Sequence, residues 1–410
     1  MAQLQVEVEP SEVGFDAERL GRIDTAFRSY VDDGKLPGWL IAIARHGKVV
    51  HLSTCGHRDI EADLPVELDT VFRIYSMTKP ITSVAAMMLY EEGAFALKDP
   101  ISRWLPEFAD VRVYTGGGSD AMETEAATEP IRVWHLLTHT AGLTYGFHRA
   151  HPVDGAYRDH GYELGAPAGA TLADACATWA SLPLLFQPGT EWNYSVATDV
   201  LGRLVEVVSG RSLAEFFAER ILGPLGMVDT GFSLAEDQRH RLAGLYVPGE
   251  GRRATRFDEI GPVAHSTPPF LSGGGGLVST ATDYLRFTEL LRRGGELDGV
   301  RLLSKRTLSY MTTNQLPGGV DLEEFGRQLF SETTYDGVGF GLGFAVTQDA
   351  VKNRVLASIG EYTWGGAAST TFWVDPVEDI TAVFLTQLLP SSTWPIRSQL
   401  KPLVLQALVD

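Results

Sequence analysis

The sequence predicts an α+β protein in which one antiparallel sheet, flanked by helices, is formed by both ends of the chain. Apolar, β-rich runs occur near the N-terminus and again after residue 340, whereas helical periodicity dominates from about residue 81 to about residue 235. We therefore expect a mainly helical domain, residues 81–284, inserted into an α/β domain made of residues 1–80 and 285–410.

The first predicted elements are a helix and a hairpin. Residues 16–33 carry apolar side chains at helical spacing, and Asp16 is the expected N-cap. Residues 39–44 and 49–53 are apolar and β-rich, and the turn His46-Gly47-Lys48 separates them. This pattern predicts an antiparallel hairpin.

The next helix starts close to Ser76. Proline is tolerated only near the start of a helix, so the helical pattern around Pro80 must begin within a few residues upstream of it. This places Ser76 at or near a helix N-terminus, and Gly93 is expected to end the helix.

The remaining elements follow from the same periodicities. Residues 110–129 are rich in glycine and acidic residues and predict a solvated loop or hairpin tip. Helices are expected at 131–137, 172–182, 198–208, 213–221 and 396–409, and strands at 341–346, 355–359, 370–374 and 381–385.

Composition restricts the class of protein. The chain has 410 residues, enough for a large core, and a formal net charge of −18, which argues against nucleic acid and anionic membranes as partners. The N-terminus lacks the basic start and apolar stretch of a secretion signal, and no apolar run reaches the roughly 20 residues of a membrane helix. Cys55 and Cys176 are the only cysteines. We expect a cytoplasmic protein without a disulfide framework.

The tetrapeptide Ser76-Met77-Thr78-Lys79 is the main chemical signal. A serine and a lysine three residues apart share one face of a helix, and a lysine that close can help to deprotonate the hydroxyl. A helix N-terminus at Ser76 also supplies a backbone N–H and a favourable field for an oxyanion.

Two later segments supply the other groups that acyl transfer needs. Tyr194 follows a turn at Pro188-Gly189-Thr190, and a tyrosine can act as a base where nearby cations lower the pKa of the phenol. Trp364-Gly365-Gly366-Ala367 is predicted to open a strand, where glycines let a backbone N–H approach a substrate closely.

Other patterns are interpreted as structural. A second Ser-x-x-Lys, from Ser398 to Lys401, lacks comparable surroundings and is assigned to a surface helix. His135 and His139 could suggest a metal pair, but the residue after the first histidine is not the glutamate of a zinc-protease helix. We assign both histidines to structural roles.

Two further patterns receive the same interpretation. Residues 273–276 are glycines, but no Gly-Lys-Ser/Thr follows as in a phosphate loop, so a role in backbone packing is favoured. Asp199 and Asp283 are expected to be helix caps or surface charges. The Gly-x-Ser-x-Gly elbow is missing from the sequence, which counts against an α/β-hydrolase.

The motifs together resemble a known superfamily. The matching segments occur in one order over nearly the whole chain, at 72–80, 135–143, 188–195, 224–227, 275–284 and 373–376. They are similar to class C β-lactamases and penicillin-binding proteins, and most similar to the serine carboxylesterases of family VIII. The resemblance implies a β-lactamase-like, DD-peptidase-like fold with the active site between its two domains.

The resemblance also implies roles for individual residues. Ser76 would be acylated, and Lys79 and Tyr194 would share the general acid/base work. Which of the two takes the serine proton stays open, although a charged Lys79 would favour Tyr194. The backbone N–H groups of Ser76 and Ala367 would form the oxyanion hole, and no metal or organic cofactor would be needed.

Two departures from the lactamase pattern concern substrate binding. Val196 stands where lactamases carry the asparagine that binds the β-lactam amide, and Trp364 stands where they carry the lysine that helps to hold the carboxylate. An indole has no charge but offers an apolar wall and one donor. The residues expected to bind substrate are Trp364, Gly365, Gly366, Tyr145 and Val196. Phe147, Trp134 and Tyr362 are candidates for an acyl pocket, with core packing as the alternative.

The sequence therefore predicts a serine carboxylesterase that cleaves small-molecule esters of short to medium acyl chain through an acyl-serine intermediate. With an alcohol or amine as acceptor, the same site would be an acyltransferase. A β-lactamase or D-alanyl peptidase is the alternative that Val196 and Trp364 disfavour. A non-catalytic binding protein is the last alternative.

Overall fold

The computed structural model describes residues 4–119, 121–260, 263, 266–327 and 335–410. Its strands are β1 Gly38–Arg45, β2 Lys48–Asp59, β3 Leu64–Pro65, β4 Phe72–Arg73, β5 Arg112–Gly116, β6 Glu123–Ala126, β7 Tyr246–Pro248, β8 Ala254–Arg256, β9 Val278–Ser279, β10 Glu296–Leu297, β11 Val300–Arg301, β12 Val338–Phe340, β13 Ala345–Thr347, β14 Tyr362–Gly365, β15 Thr371–Asp375 and β16 Ile380–Thr386.

The α-helices of the described residues are spread along the chain. They are α1 Ala17–Leu20, α2 Arg22–Asp32, α3 Thr78–Glu91, α4 Val133–Leu137, α5 Pro152–Asp159, α6 Leu172–Ser181, α7 Ala197–Ser209, α8 Leu213–Phe217, α9 Gly223–Leu225, α10 Ala281–Arg292, α11 Lys305–Met311, α12 Leu322–Phe325, α13 Ala350–Asn353 and α14 Ile396–Leu405. Within the described ranges, no helix is both long enough and apolar enough to cross a membrane.

The main sheet joins the two ends of the chain, as predicted. Within the described residues it has eight strands in the order β12-β13-β14-β15-β16-β1-β2-β3, and neighbouring strands are antiparallel. Ile41 in β1 lies opposite Phe384 in β16 and Ser53 in β2. The α+β prediction is confirmed, with helices flanking an antiparallel sheet; the domain boundaries stay a prediction.

Both faces of the central strands are buried. In β1, Trp39, Ile41 and Ile43 point into one core, whereas Leu40 and Ala42 point into the other. Successive side chains of a strand alternate between faces, so a strand covered on both sides is apolar throughout. This explains why residues 39–44 form an uninterrupted apolar run.

The sequence located the N-terminal elements well. Asp16 caps the first helix by accepting a hydrogen bond from the backbone N–H of Arg19 at 2.8 Å, and the predicted hairpin is β1 and β2. The stretch at 110–129 is the hairpin of β5 and β6, apart from Asp120, which lies outside the described residues.

One strand prediction near the C-terminus is wrong, and a second is only partly right. Residues 355–359 form an irregular segment in which Leu356 and Ile359 are exposed, and the strand begins later, at Tyr362. The predicted strand 341–346 overlaps β13 at Ala345 and Val346, but residues 341–344 form the connection between β12 and β13. Leu342 and Phe344 are buried in the core outside any strand, whereas Leu356 and Ile359 are exposed, and sequence periodicity cannot distinguish these environments from a sheet face.

Candidate active site

Ser76 lies in a short 3-10 turn, Tyr75–Met77, that leads directly into α3. Pro80 occupies the first turn of that helix, where its missing N–H costs no hydrogen bond. The rest of α3 is almost entirely buried, so the helix is a rigid support for the serine. Ser76 itself lines a cavity of about 700 Å³.

Lys79 is buried behind the serine, with only 2% of its surface exposed. Its Nζ donates hydrogen bonds to Ser76 Oγ at 3.2 Å, to the Tyr145 hydroxyl at 2.9 Å and to the Gly274 carbonyl at 2.7 Å. An ammonium group has three N–H donors, and each one has an acceptor here. The geometry thus suits a charged lysine.

Tyr194 lines the same cavity as Ser76. The face of its ring lies over Lys79, with 4.5 Å between Nζ and the ring centroid, which is a cation–π distance. The ring also contacts Tyr145 and Trp364, at centroid distances of 5.3 and 5.4 Å. Two tyrosines therefore contact the Lys79 amino group, and it is Tyr145 whose hydroxyl accepts the hydrogen bond.

The segment Trp364-Gly365-Gly366-Ala367 also lines the cavity. It ends β14 instead of opening a strand, so that part of the prediction is wrong. A Cβ on Gly366 would lie 2.4 Å from the carbonyl oxygen of Ile74 and 2.2 Å from Thr370 Oγ1. The lack of a side chain lets the turn lie directly against the residues that precede the serine.

The expected substrate-binding residues also reach the cavity. Tyr145 and Val196 both line it, and the Tyr145 ring stacks on that of Phe147 with centroids 4.6 Å apart. Two of the aromatic candidates lie elsewhere: Trp134 packs on the His135 ring, and Tyr362 packs on Phe344 in the core. The oxyanion hole of Ser76 and Ala367 stays a prediction, although both residues line the cavity.

Asp199 and Gly274 take part in this site, although the sequence analysis assigned them to structure. Asp199 lines the cavity, and its Oδ1 accepts hydrogen bonds from Ser272 Oγ at 2.6 Å and from the Gly274 N–H at 3.0 Å. Gly274 in turn holds Lys79 through its carbonyl. Glycine-rich composition alone does not reveal this role, because it depends on which side chain the carbonyl faces.

Burial sets the ionisation of several groups around the lysine. It raises the pKa of the Tyr145 phenol well above its ordinary value, and the charges of Asp199 and Tyr194 act in the same direction. Burial lowers the pKa of His139 well below its ordinary value, helped by the positive charge of Lys79. The His139 Nδ1 lies 3.2 Å from Ser195 Oγ, so a neutral ring supports the segment next to Tyr194.

The second Ser-x-x-Lys pair differs from the first. Lys401 forms an ion pair with Glu361, which is fully buried, and Ser398 donates a hydrogen bond to the Pro395 carbonyl at 3.2 Å. Both residues border the cavity, and only 14% of the Lys401 side chain is exposed. The assignment to a surface helix is therefore wrong for this lysine, whose carboxylate partner is distant in sequence.

The fold, with an antiparallel sheet backed by helices and a serine at the start of a buried helix, is that of β-lactamases and penicillin-binding proteins. The family model described as Beta-lactamase matches residues 23–405. The chain belongs to the Beta-lactamase family.

Relatives of the chain include enzymes that act on esters. It is 40% identical over 369 residues to Protein Rv1367c of Mycobacterium tuberculosis, covering 89% of each chain. It is 32% identical over 402 residues to Esterase EstB of Burkholderia gladioli, covering 92% of this chain and 93% of the esterase. Among solved structures, EstCE1, a hydrolase with promiscuous acyltransferase activity, aligns with a TM-score of 0.79 at 29% identity, covering 94% of this chain and 98% of EstCE1.

Proposed function

We propose that this protein is a serine carboxylesterase that hydrolyses uncharged esters through an acyl-enzyme on Ser76. The observation that supports this most directly is the 3.2 Å hydrogen bond between Lys79 Nζ and Ser76 Oγ at the wall of the cavity. A hydroxyl that accepts a hydrogen bond from a buried lysine, with Tyr145 and Tyr194 lining the same cavity, has the groups that nucleophilic catalysis requires.

In the proposed reaction, Ser76 Oγ attacks the ester carbonyl carbon while its proton passes to a base, either Tyr194 as phenolate or Lys79 as free amine. The tetrahedral oxyanion is held by backbone N–H groups of Ser76 and Ala367. Collapse breaks the bond to the alkoxy oxygen, which leaves as the alcohol after taking the proton from that same group. Water then attacks the acyl-serine by the same route and releases the acid.

The lining of the cavity favours substrates without charge. Its charged side chains already have partners: Lys401 pairs with Glu361, Glu163 pairs with Arg149, and Arg397 donates to the carbonyls of Gly366 and Thr370. Aromatic and aliphatic side chains line much of the remainder, including Trp364, Phe270 and Val196. Such a cavity binds ligands mainly through apolar contact.

An acyltransferase is the second candidate, because the solved relative EstCE1 is described as having promiscuous acyltransferase activity. The acyl-enzyme is common to both reactions, and only the acceptor differs. Adding a small alcohol to the ester assay measures the ratio of transfer to hydrolysis.

The esterase proposal is tested by comparing turnover of p-nitrophenyl butyrate with that of a chromogenic cephalosporin. We expect the ester to be the better substrate in kcat/KM. Intact mass after rapid acid quench should show a butyryl adduct on the wild type and none on Ser76→Ala. Faster cephalosporin turnover would support the β-lactamase alternative, and a wild type that neither turns over nor acylates would overturn the proposal.

A further inference from the structure

Asp199 is a buried carboxylate beside the nucleophile that the reaction scheme above does not use. It lies in the first turn of α7, five residues after Tyr194, and only 3% of its surface is exposed. Its Oδ1 accepts the hydrogen bonds from Ser272 Oγ and from the N–H of Gly274. A carboxylate so deeply buried needs compensating groups, and the positive charge of Lys79 opposes the rise in the pKa of Asp199 that burial causes.

The backbone of Gly274 connects Asp199 to Lys79. Its N–H donates to the aspartate at 3.0 Å, and its carbonyl accepts from Lys79 Nζ at 2.7 Å. A Cβ on this glycine would lie 2.5 Å from Asp199 Oδ2 and 3.0 Å from the Tyr145 hydroxyl. The carboxylate, the phenol and the loop therefore pack directly on one another, with no side chain between them.

The charge of Asp199 affects the pKa of buried groups around it. Its negative charge raises the pKa of the Tyr145 phenol, in addition to the effect of burial. Burial raises the pKa of Asp199 itself, against the charge of Lys79 and its two hydrogen bonds. The other titratable group facing it is the thiol of Cys176 in α6, which is buried and held neutral.

We propose that Asp199 is a positioning residue that decides which side chain around Lys79 takes the serine proton, holding Lys79 as an ammonium and Tyr145 as a neutral phenol so that Tyr194 is the base. This inference rests on the proposed acyl-enzyme chemistry at Ser76. It selects one of the two bases that the reaction scheme leaves open.

The physical reason lies in the distribution of protons. Lys79 and Tyr194 can share the same number of protons in two arrangements, an ammonium beside a phenolate or a free amine beside a phenol. Asp199 stabilises the ammonium and opposes the phenolate, and the stabilisation is the larger effect in our proposal because a single glycine backbone links Asp199 to Lys79. Removing the charge of Asp199 therefore depopulates the arrangement that contains the phenolate base.

Asp199→Asn isolates the charge, because the amide oxygen can still accept from Ser272 and Gly274. We expect kcat for p-nitrophenyl butyrate to fall about 100-fold while KM changes by less than about threefold. The acid limb of the kcat/KM profile should move to lower pH, because a proton leaves a cluster more easily once a negative charge is gone. Tyr194→Phe should lose more activity than Tyr145→Phe.

Two further variants separate charge from structure. Ser272→Ala removes one hydrogen bond and keeps the carboxylate, so kcat should fall only a few-fold with the acid limb unmoved. Asp283→Asn replaces another buried aspartate. Among the described residues, Asp283 is not part of the cavity lining, so this variant should keep the wild-type kcat and pH profile. Circular dichroism and thermal midpoints establish that each variant is folded.

The outcomes are distinct. A folded Asp199→Asn that keeps kcat within threefold of the wild type, or that loses activity equally at every pH, would overturn the inference. So would Tyr145→Phe losing more activity than Tyr194→Phe. A wild type that forms no acyl-enzyme would instead overturn the proposed function, before any of these variants is compared.

Discussion

The Nζ of Lys79 donates a hydrogen bond to Oγ of Ser76 across 3.2 Å, from a side chain that is almost fully buried. The two residues are one helical turn apart, but helix geometry alone does not hold the lysine there. The carbonyl of Gly274 and the hydroxyl of Tyr145 accept its other two hydrogens. The position of the ammonium is therefore fixed by residues from three separate parts of the chain.

Replacing Lys79 by methionine should abolish most of the activity. The substitution preserves the volume of the side chain and removes the group that orients Ser76 Oγ, so we expect kcat for p-nitrophenyl butyrate to fall by at least about 1,000-fold. Steady-state kinetics measures the loss. Lys48→Met, at an exposed hairpin turn, is the matched control and should behave as the wild type. A Lys79→Met variant within tenfold of wild-type kcat would refute the role of the lysine.

Gly366→Ala should impair the site through a backbone clash. The new Cβ would meet the Ile74 carbonyl oxygen at 2.4 Å, so the turn that carries Ala367 must move away from the serine. Misplacement of this size in a catalytic site costs about 100-fold in kcat. Gly118→Ala is the control, because no atom of the described residues lies within 4 Å of its added Cβ. Equal kcat in the two variants would show that the close approach is unimportant.

The stability of the protein should depend on pH through Asp283. Burial raises the pKa of this carboxyl to about 6, although Thr230 and the backbone of Asp229 donate to its Oδ2. As pH rises, the Asp283 carboxyl therefore ionises in the unfolded chain before it ionises in the folded protein. The folded state loses stability as pH rises from about 4 to about 6. The Asp283→Asn variant has no ionisable group at this position, so its stability does not fall for this reason.

The thermal midpoint of Asp283→Asn minus that of the wild type should therefore become more positive as pH rises from 4 to 7. The shift in pKa corresponds to at most about 3 kcal/mol in the free energy of unfolding. Differential scanning calorimetry at several pH values measures the difference. A difference that is constant with pH would contradict the assignment of this titration to Asp283.

Lys401→Met should destabilise the fold, because it leaves the carboxylate of Glu361 buried without a counter-charge. Breaking a buried pair on one side costs about 3–5 kcal/mol. Burial raises the pKa of Glu361, so the cost should be greater at pH 8 than at pH 5, where protonation relieves it. Chemical denaturation at both pH values tests this. The double variant Lys401→Met, Glu361→Gln should recover much of the loss, and failure to recover would point to packing instead of charge.

Much of the fold could be predicted from the sequence because local patterns decide it. The hairpin of β1 and β2 has apolar strands on either side of a turn, and Pro80 restricts where α3 can begin. The strand predicted at 355–359 failed because a short apolar run has the same composition whether it lies in a sheet or beside a cavity. Asp199 was misjudged for a related reason, since an isolated aspartate carries no pattern that indicates its partners.

The sequence by itself determined the α+β class, the position of Ser76 at a helix start and the spacing that brings Lys79 to it, because each depends on residues close together in the chain. Only the tertiary structure decided that Tyr145 and Gly274 accept hydrogen bonds from the lysine, that Asp199 in turn accepts from Gly274, and that Lys401 forms an ion pair with Glu361. These contacts join residues far apart in sequence, and they form only when packing brings their elements together.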